Sequence, residues 1–286
     1  MSDPELQEPA PNYAPKEWRF TILHSVGLCI LFAVLQLAIA LLIRQTTGLK
    51  IEELRWYHLS ILNGIPGTLV LGVGAYLNNF SVHDMLLEYL PDPGWILSTV
   101  LAVLGILILA SELNNILVRI LPFSQDTNLI QMLLKEDFVG VIITVGIVAP
   151  IVEELMFRGI ILDGLRLHNY KIGTAVITSS ILFGLIHWDP INSIQTFLLG
   201  LFLCWLRIST GSLMLCVISH SVFNVAPFIL IKMNAHVQGL TSLPSKTVEF
   251  QPLWLDAFGV ILLLAGIAGL KFSNNEQAEQ QEVHQN

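Results

Sequence analysis

Charge is what this chain has least of. Lysine, arginine, aspartate and glutamate make up 13% of its 286 residues and hydrophobic residues 53%, where a soluble globular domain carries roughly a quarter charged residues. There are too few polar side chains to cover a soluble surface, so that class is excluded. The formal charge of −8 comes largely from the two tails, and no basic cluster offers a footprint for nucleic acid. Cysteine is scarce as well. Cys29, Cys204 and Cys216 all fall inside apolar runs, with no paired spacing for a disulfide framework or a cysteine-type zinc site. Other signatures are missing: no His-Glu-x-x-His of a zincin helix, no Gly-x-Ser-x-Gly elbow, and no repeat pairing the two halves as an inverted-repeat transporter requires.

What is present is a series of apolar runs, several longer than the eighteen or so residues that cross a hydrocarbon core of about 30 Å. They predict an all-α polytopic membrane protein of about eight transmembrane helices, near 20–43, 58–80, 95–121, 138–162, 172–188, 191–208, 211–231 and 253–271. The first run exceeds a signal h-region and reads as a membrane anchor. Residues 1–19 form an acidic, proline-rich tail, 20–271 a single helical membrane domain, and 272–286 a Gln/Glu/Asn-rich tail of disordered composition. Two short stretches, 82–90 and 128–137, read as helices lying in the membrane interface. Lys and Arg are nearly balanced between the two sides, so the positive-inside rule sets no orientation.

Against this apolar background one stretch stands out, Pro150-Ile151-Val152-Glu153-Glu154-Leu155-Met156-Phe157-Arg158-Gly159, which follows the uncharged run Phe138 to Ala149. An ionised group at the centre of a spanning helix costs roughly 2.5–3.5 kcal/mol on insertion scales. Glu154 and Arg158 are four apart and share a helix face. Glu153 is rotated from Glu154 by about 100°, so the arginine cannot serve both carboxylates equally. The simplest assignment is a Glu154–Arg158 ion pair, with Glu153 free to hold water and accept a proton as a general base. A structural ion pair between helices is the alternative.

Two later spans carry further polar groups. His187 ends the run Phe183-Gly184-Leu185-Ile186-His187 just before Trp188-Asp189-Pro190. Proline disfavours helix at the residue before it, which puts His187 on the last turn, near a membrane surface. His220 and Asn224 are four apart on one face of the seventh span, two groups suited to stabilising an oxyanion or to a histidine ligand with an oriented neighbour. Interhelical hydrogen bonding is the plainer account of that pair. Ser219 and Ser221, adjacent to His220, each diverge from it by about 100° on a helix and lack a nucleophile elbow. Glu112, in Ser111-Glu112-Leu113-Asn114-Asn115, is a candidate to close the polar wall of the site or to pack against another helix.

Taken in order, Glu153-Glu154-x-x-x-Arg158, Phe183-x-x-x-His187 and His220-x-x-x-Asn224 resemble the three motifs of the CPBP (CAAX protease and bacteriocin-processing, or Abi) intramembrane endopeptidases, relatives of the CAAX prenyl endopeptidase, over residues 138–231. The resemblance implies an enzyme that hydrolyses a peptide bond of a membrane-associated or lipidated protein or peptide. It implies that Glu153 with His187 activates water, that His220 and Asn224 bind the oxyanion, and that Glu154 and Arg158 complete the site. It leaves a metal-dependent and a metal-free route open; Glu153, His187 and His220 are suitable ligand types for Zn²⁺ or another divalent metal. An ion-coupled transporter and a non-catalytic immunity or scaffold protein on the same fold are the competing classes.

Overall fold

A computed structural model describes residues 20–50, 53–87, 91–121, 128–241 and 248–285; the acidic N-terminal tail lies outside them. Among the described residues the fold is all-α. In chain order the helices are α1 (Ile22–Thr47), α2 (Trp56–Asn78), α3 (Val82–Leu87), α4 (Pro93–Ile120), α5 (Asn128–Lys135), α6 (Phe138–Leu167), α7 (Ile172–Leu185), α8 (Pro190–Thr210), α9 (Leu213–Lys232) and α10 (Leu253–Gln285). Their starts follow local chemistry. Asp92 and Asp189 each accept a backbone N–H of the following turn, from Trp95 and Asn192, and in both cases proline occupies the first helical position, where its missing N–H costs nothing. The chain is an integral, multi-pass membrane protein.

Two details of the helices differ from the sequence reading. Among the described residues seven helices are long and apolar enough to cross a membrane, and the fifth predicted span is the shorter, 14-residue apolar helix α7. At about 1.5 Å per residue it covers about 21 Å, because Asp189-Pro190 turns the chain into α8 before a full span is completed. The polar C-terminal tail, expected to be disordered, continues α10 to Gln285. Glu, Gln and Ala are good helix formers, and extending a helix already nucleated by Leu253–Leu270 is far cheaper than starting one. The predicted interfacial segments do form short helices, α3 and α5.

The helix at the centre is α6. Just over half of its best membrane window, 56%, is buried, against 17–44% for the other six spans, and α2, α7, α8 and α9 all pack on it. Phe157, Ile160, Ile161, Leu162 and Leu165 are fully buried there, as expected of a helix apolar on every side. At the periphery α4 and α10 lie against each other along small residues. A Cβ on Gly105 would sit 2.5 Å from the Gly259 carbonyl oxygen, and one on Gly266 would collide with the backbone of Ser98 and Ala102. Glu112 belongs to this outer pair. Its carboxylate accepts from the Gln251 backbone N–H at 2.8 Å and from Asn115 at 3.0 Å, so it anchors the entry to α10.

Candidate active site

Pro150 shapes the helix that carries the site. A proline inside a helix has no N–H to give and presses its ring on the carbonyl four residues back. Here that carbonyl is Gly146, and α6 answers by widening: Ile142–Val148 is π-helical, with the Ala149 N–H bonded to the Thr144 carbonyl five residues back. In that register the carbonyl facing Pro150 is Val145. Both acceptors are served from α9, since buried carbonyls must find donors. Ser221 Oγ donates to Gly146 O at 2.6 Å and Asn224 Nδ2 donates to Val145 O at 3.0 Å. The widened turn therefore fixes α9 against α6. A regular α-helical turn, Ala149–Glu154, follows, and a second π-helical stretch, Leu155–Leu162, comes after it. Such stretches recur at functional sites.

That short turn presents the two glutamates. Glu154 and Arg158 are fully buried and paired, Nη1 to Oε1 at 2.9 Å. The guanidinium also donates to the Gly200 carbonyl of α8 at 3.3 Å and lies 4.4 Å from the centre of the Phe183 ring, so α6, α7 and α8 share one cation. The same Glu154 oxygen meets His220 Nδ1 at 2.8 Å. An ionised carboxylate only accepts, so Nδ1 carries the proton and Nε2 presents its lone pair. Nε2 faces Glu153, whose Oε2 lies 3.9 Å away and is buried without a hydrogen-bond partner. The imidazole thus stands between the two carboxylates, bonded to one and turned toward the other.

His187 lies just beyond the last residue of α7. Its Nδ1 is 2.9 Å from the Phe183 carbonyl; that partner is an acceptor, so His187 too presents Nε2 as a lone pair. Phe183 packs edge-on against both imidazoles, with centroids 5.2 Å from His187 and 5.5 Å from His220. The turn that follows is unusual. The Asp189 N–H bonds back to the His187 carbonyl at 2.7 Å across Trp188, which has φ of 58°. That is the left-handed form of a γ-turn, the rarer and strained one, and for a bulky residue such a φ costs of order 1–3 kcal/mol.

The structure therefore brings Glu154, Arg158 and His220 into one bonded group, with Glu153 facing His220 at 3.9 Å and His187 joined to it through Phe183. Asn224 lies on the same helix as His220 but gives an amide hydrogen to α6. Glu112 is elsewhere. Ser221 and Pro150 are the residues that sequence reasoning passed over, although Pro150, three positions before Glu153, already signalled two carbonyls in need of donors. Among the described residues no group of three or more His, Cys, Asp or Glu side chains is arranged to hold a metal ion.

Residues 135–226 match the family model of the type II CAAX prenyl endopeptidases, Rce1-like. This segment is similar to an Rce1-like domain. It spans α6 to α9, the helices that carry every residue of the bonded group, and its family is one of membrane proteases. No curated protein is significantly similar to the chain. The Rce1-like match thus accounts for the inner helices, while α1 to α4 and α10 lie outside it.

Proposed function

We propose that the chain is an intramembrane endopeptidase that hydrolyses a peptide bond of a membrane-associated or lipidated protein or peptide, using Glu153 as general base. One observation carries this reading: a buried carboxylate oxygen without a partner, facing an imidazole lone pair across 3.9 Å. Leaving such an atom unsatisfied costs roughly 1–3 kcal/mol or more for a charged group, and a water bound there would satisfy it. Glu153 takes a proton from that water, with His187 Nε2 as a second acceptor to orient it. The oxygen attacks the carbonyl carbon, and the developing oxyanion needs donors. Asn224 retains a second amide hydrogen. His220 enters the step carrying a proton taken up from solvent at Nε2, an imidazolium that Glu154 stabilises through Nδ1, and it donates a hydrogen bond to the oxyanion while keeping that proton throughout. The proton on Glu153 then passes to the leaving amine as the C–N bond breaks. Arg158 holds Glu154 in place through their ion pair.

The test is cleavage of alkyl-anchored fluorogenic peptides by the purified full-length chain. Glu153→Gln, nearly isosteric, is expected to lose at least 1,000-fold in rate if general-base catalysis contributes about 10²–10⁴-fold and water positioning is lost with it, with an unchanged thermal unfolding midpoint. Full activity in that variant sinks the proposal. In the same assay 1,10-phenanthroline is expected to leave the wild-type rate unchanged; loss of activity that Zn²⁺ restores would put a metal in the site instead.

A further inference from the structure

The chain places seven described residues at positive φ. Gly48, Gly211 and Gly239 are glycine and Asn79, Asn169 and Asn234 are asparagine, the residue types that accept this conformation at least cost. The seventh is Trp188, next to His187. Its ring is 78% exposed, so the strain is not offset by burial within the protein. The conformation is also over-determined. His187 N–H bonds to Gly184 O, Asp189 N–H to His187 O, His187 Nδ1 to Phe183 O, and the Asp189 side chain caps α8 through Asn192 N–H. Every neighbour of the strained residue is tied down, and the ring alone projects.

Anchoring in the membrane interface, a common use of tryptophan, does not call for this geometry. Leu185, two residues earlier and 61% exposed, would present an indole to lipid from ordinary helical backbone. What position 188 offers is an exposed attachment one Cα–Cα step, about 3.8 Å, from the histidine that faces the reaction, whereas Ile186 on the other side of His187 packs against the core. We infer that Trp188 is a specificity-determining residue of the proposed peptidase: its ring forms one wall of the substrate channel beside His187 and receives an apolar side chain flanking the scissile bond. The inference rests on the endopeptidase reading and adds to it the residue that selects substrate.

A set of alkyl-anchored peptides, identical except for Leu, Phe, Ser or Gly at each position flanking the cleaved bond, tests this when incubated with the full-length protein in detergent and in liposomes, with products read by mass spectrometry. Trp188→Asn, which suits the left-handed backbone, is expected to unfold at the wild-type temperature or above it. At one flanking position its kcat/KM is expected to fall at least tenfold for Leu and Phe, within the range that apolar pocket contacts supply, and less than twofold for Ser and Gly. Trp188→Phe is expected to keep the preference. Wild-type product ratios in Trp188→Asn overturn the inference and leave the endopeptidase reading standing. So does a uniform loss confined to liposomes, which makes the ring an interfacial anchor. A wild-type chain that cleaves no peptide of the set overturns the endopeptidase reading, and this one with it.

Discussion

At the scale of single residues, the buried charges are held by partners from four helices. Arg158 answers Glu154, Gly200 and Phe183, and His220 answers Glu154 from the other side. Removing one member of a buried pair leaves the other charged and uncompensated, typically at about 3–5 kcal/mol. Arg158→Met is accordingly expected to lower stability by that amount, measured by reversible unfolding in SDS, and Arg158→Met/Glu154→Gln to recover part of it. A loss below about 1 kcal/mol in the single variant would show that the pair is not buried in the folded state. Much of this group was legible in the sequence. A spacing of four put Glu154 with Arg158, and an offset of one turned Glu153 away from them. The sequence did not reveal that the Asn224 amide would reach Val145, because that contact depends on where Pro150 strands a carbonyl and on how α9 docks. Nor did it reveal the conformation of Trp188, since tryptophan is among the last residue types expected at positive φ.

Among elements, apolar length identified seven of the spans and misjudged α7. The run 172–188 is uniformly apolar, yet Asp189-Pro190 begins a new helix whichever way the hydropathy continues. The widened turns of α6 were invisible for a related reason: a π-helical stretch depends on one inserted residue per turn, which apolar periodicity does not record. Close packing is more readable, because glycine marks it. Gly266 of α10 meets the backbone of α4, whereas a Cβ on Gly27 of α1 meets nothing within 4 Å. Gly266→Ala is therefore expected to cost about 1–3 kcal/mol by pushing the two helices apart, and Gly27→Ala to be neutral or stabilising by up to about 1 kcal/mol. Thermal unfolding in detergent, with both variants side by side, checks the contrast. Equal midpoints would mean that the α4–α10 contact is looser than described.

For the whole molecule, the Rce1-like segment of residues 135–226 is an inner unit framed by α1 and α2 on one side and the α4–α10 pair on another. The frame carries none of the reactive residues, but it sets the bilayer thickness that the inner helices meet. Here the shortness of α7 has a consequence. A helix of about 21 Å standing among neighbours of 20 to 30 residues is mismatched to a hydrocarbon core of about 30 Å, and a bilayer accommodates a short segment by thinning around it. The membrane beside His187 and Trp188 should be pinched, with headgroups and their water drawn inward toward the reactive side chains. A peptide held at the surface can then meet the site without burying its polar backbone in lipid, and the hydrolytic water has a short path. Reconstitution into phosphatidylcholines of increasing chain length puts a value on this dip: the cleavage rate should fall steadily as the bilayer thickens, and a rate indifferent to chain length would mean that the protein opens its own way to water.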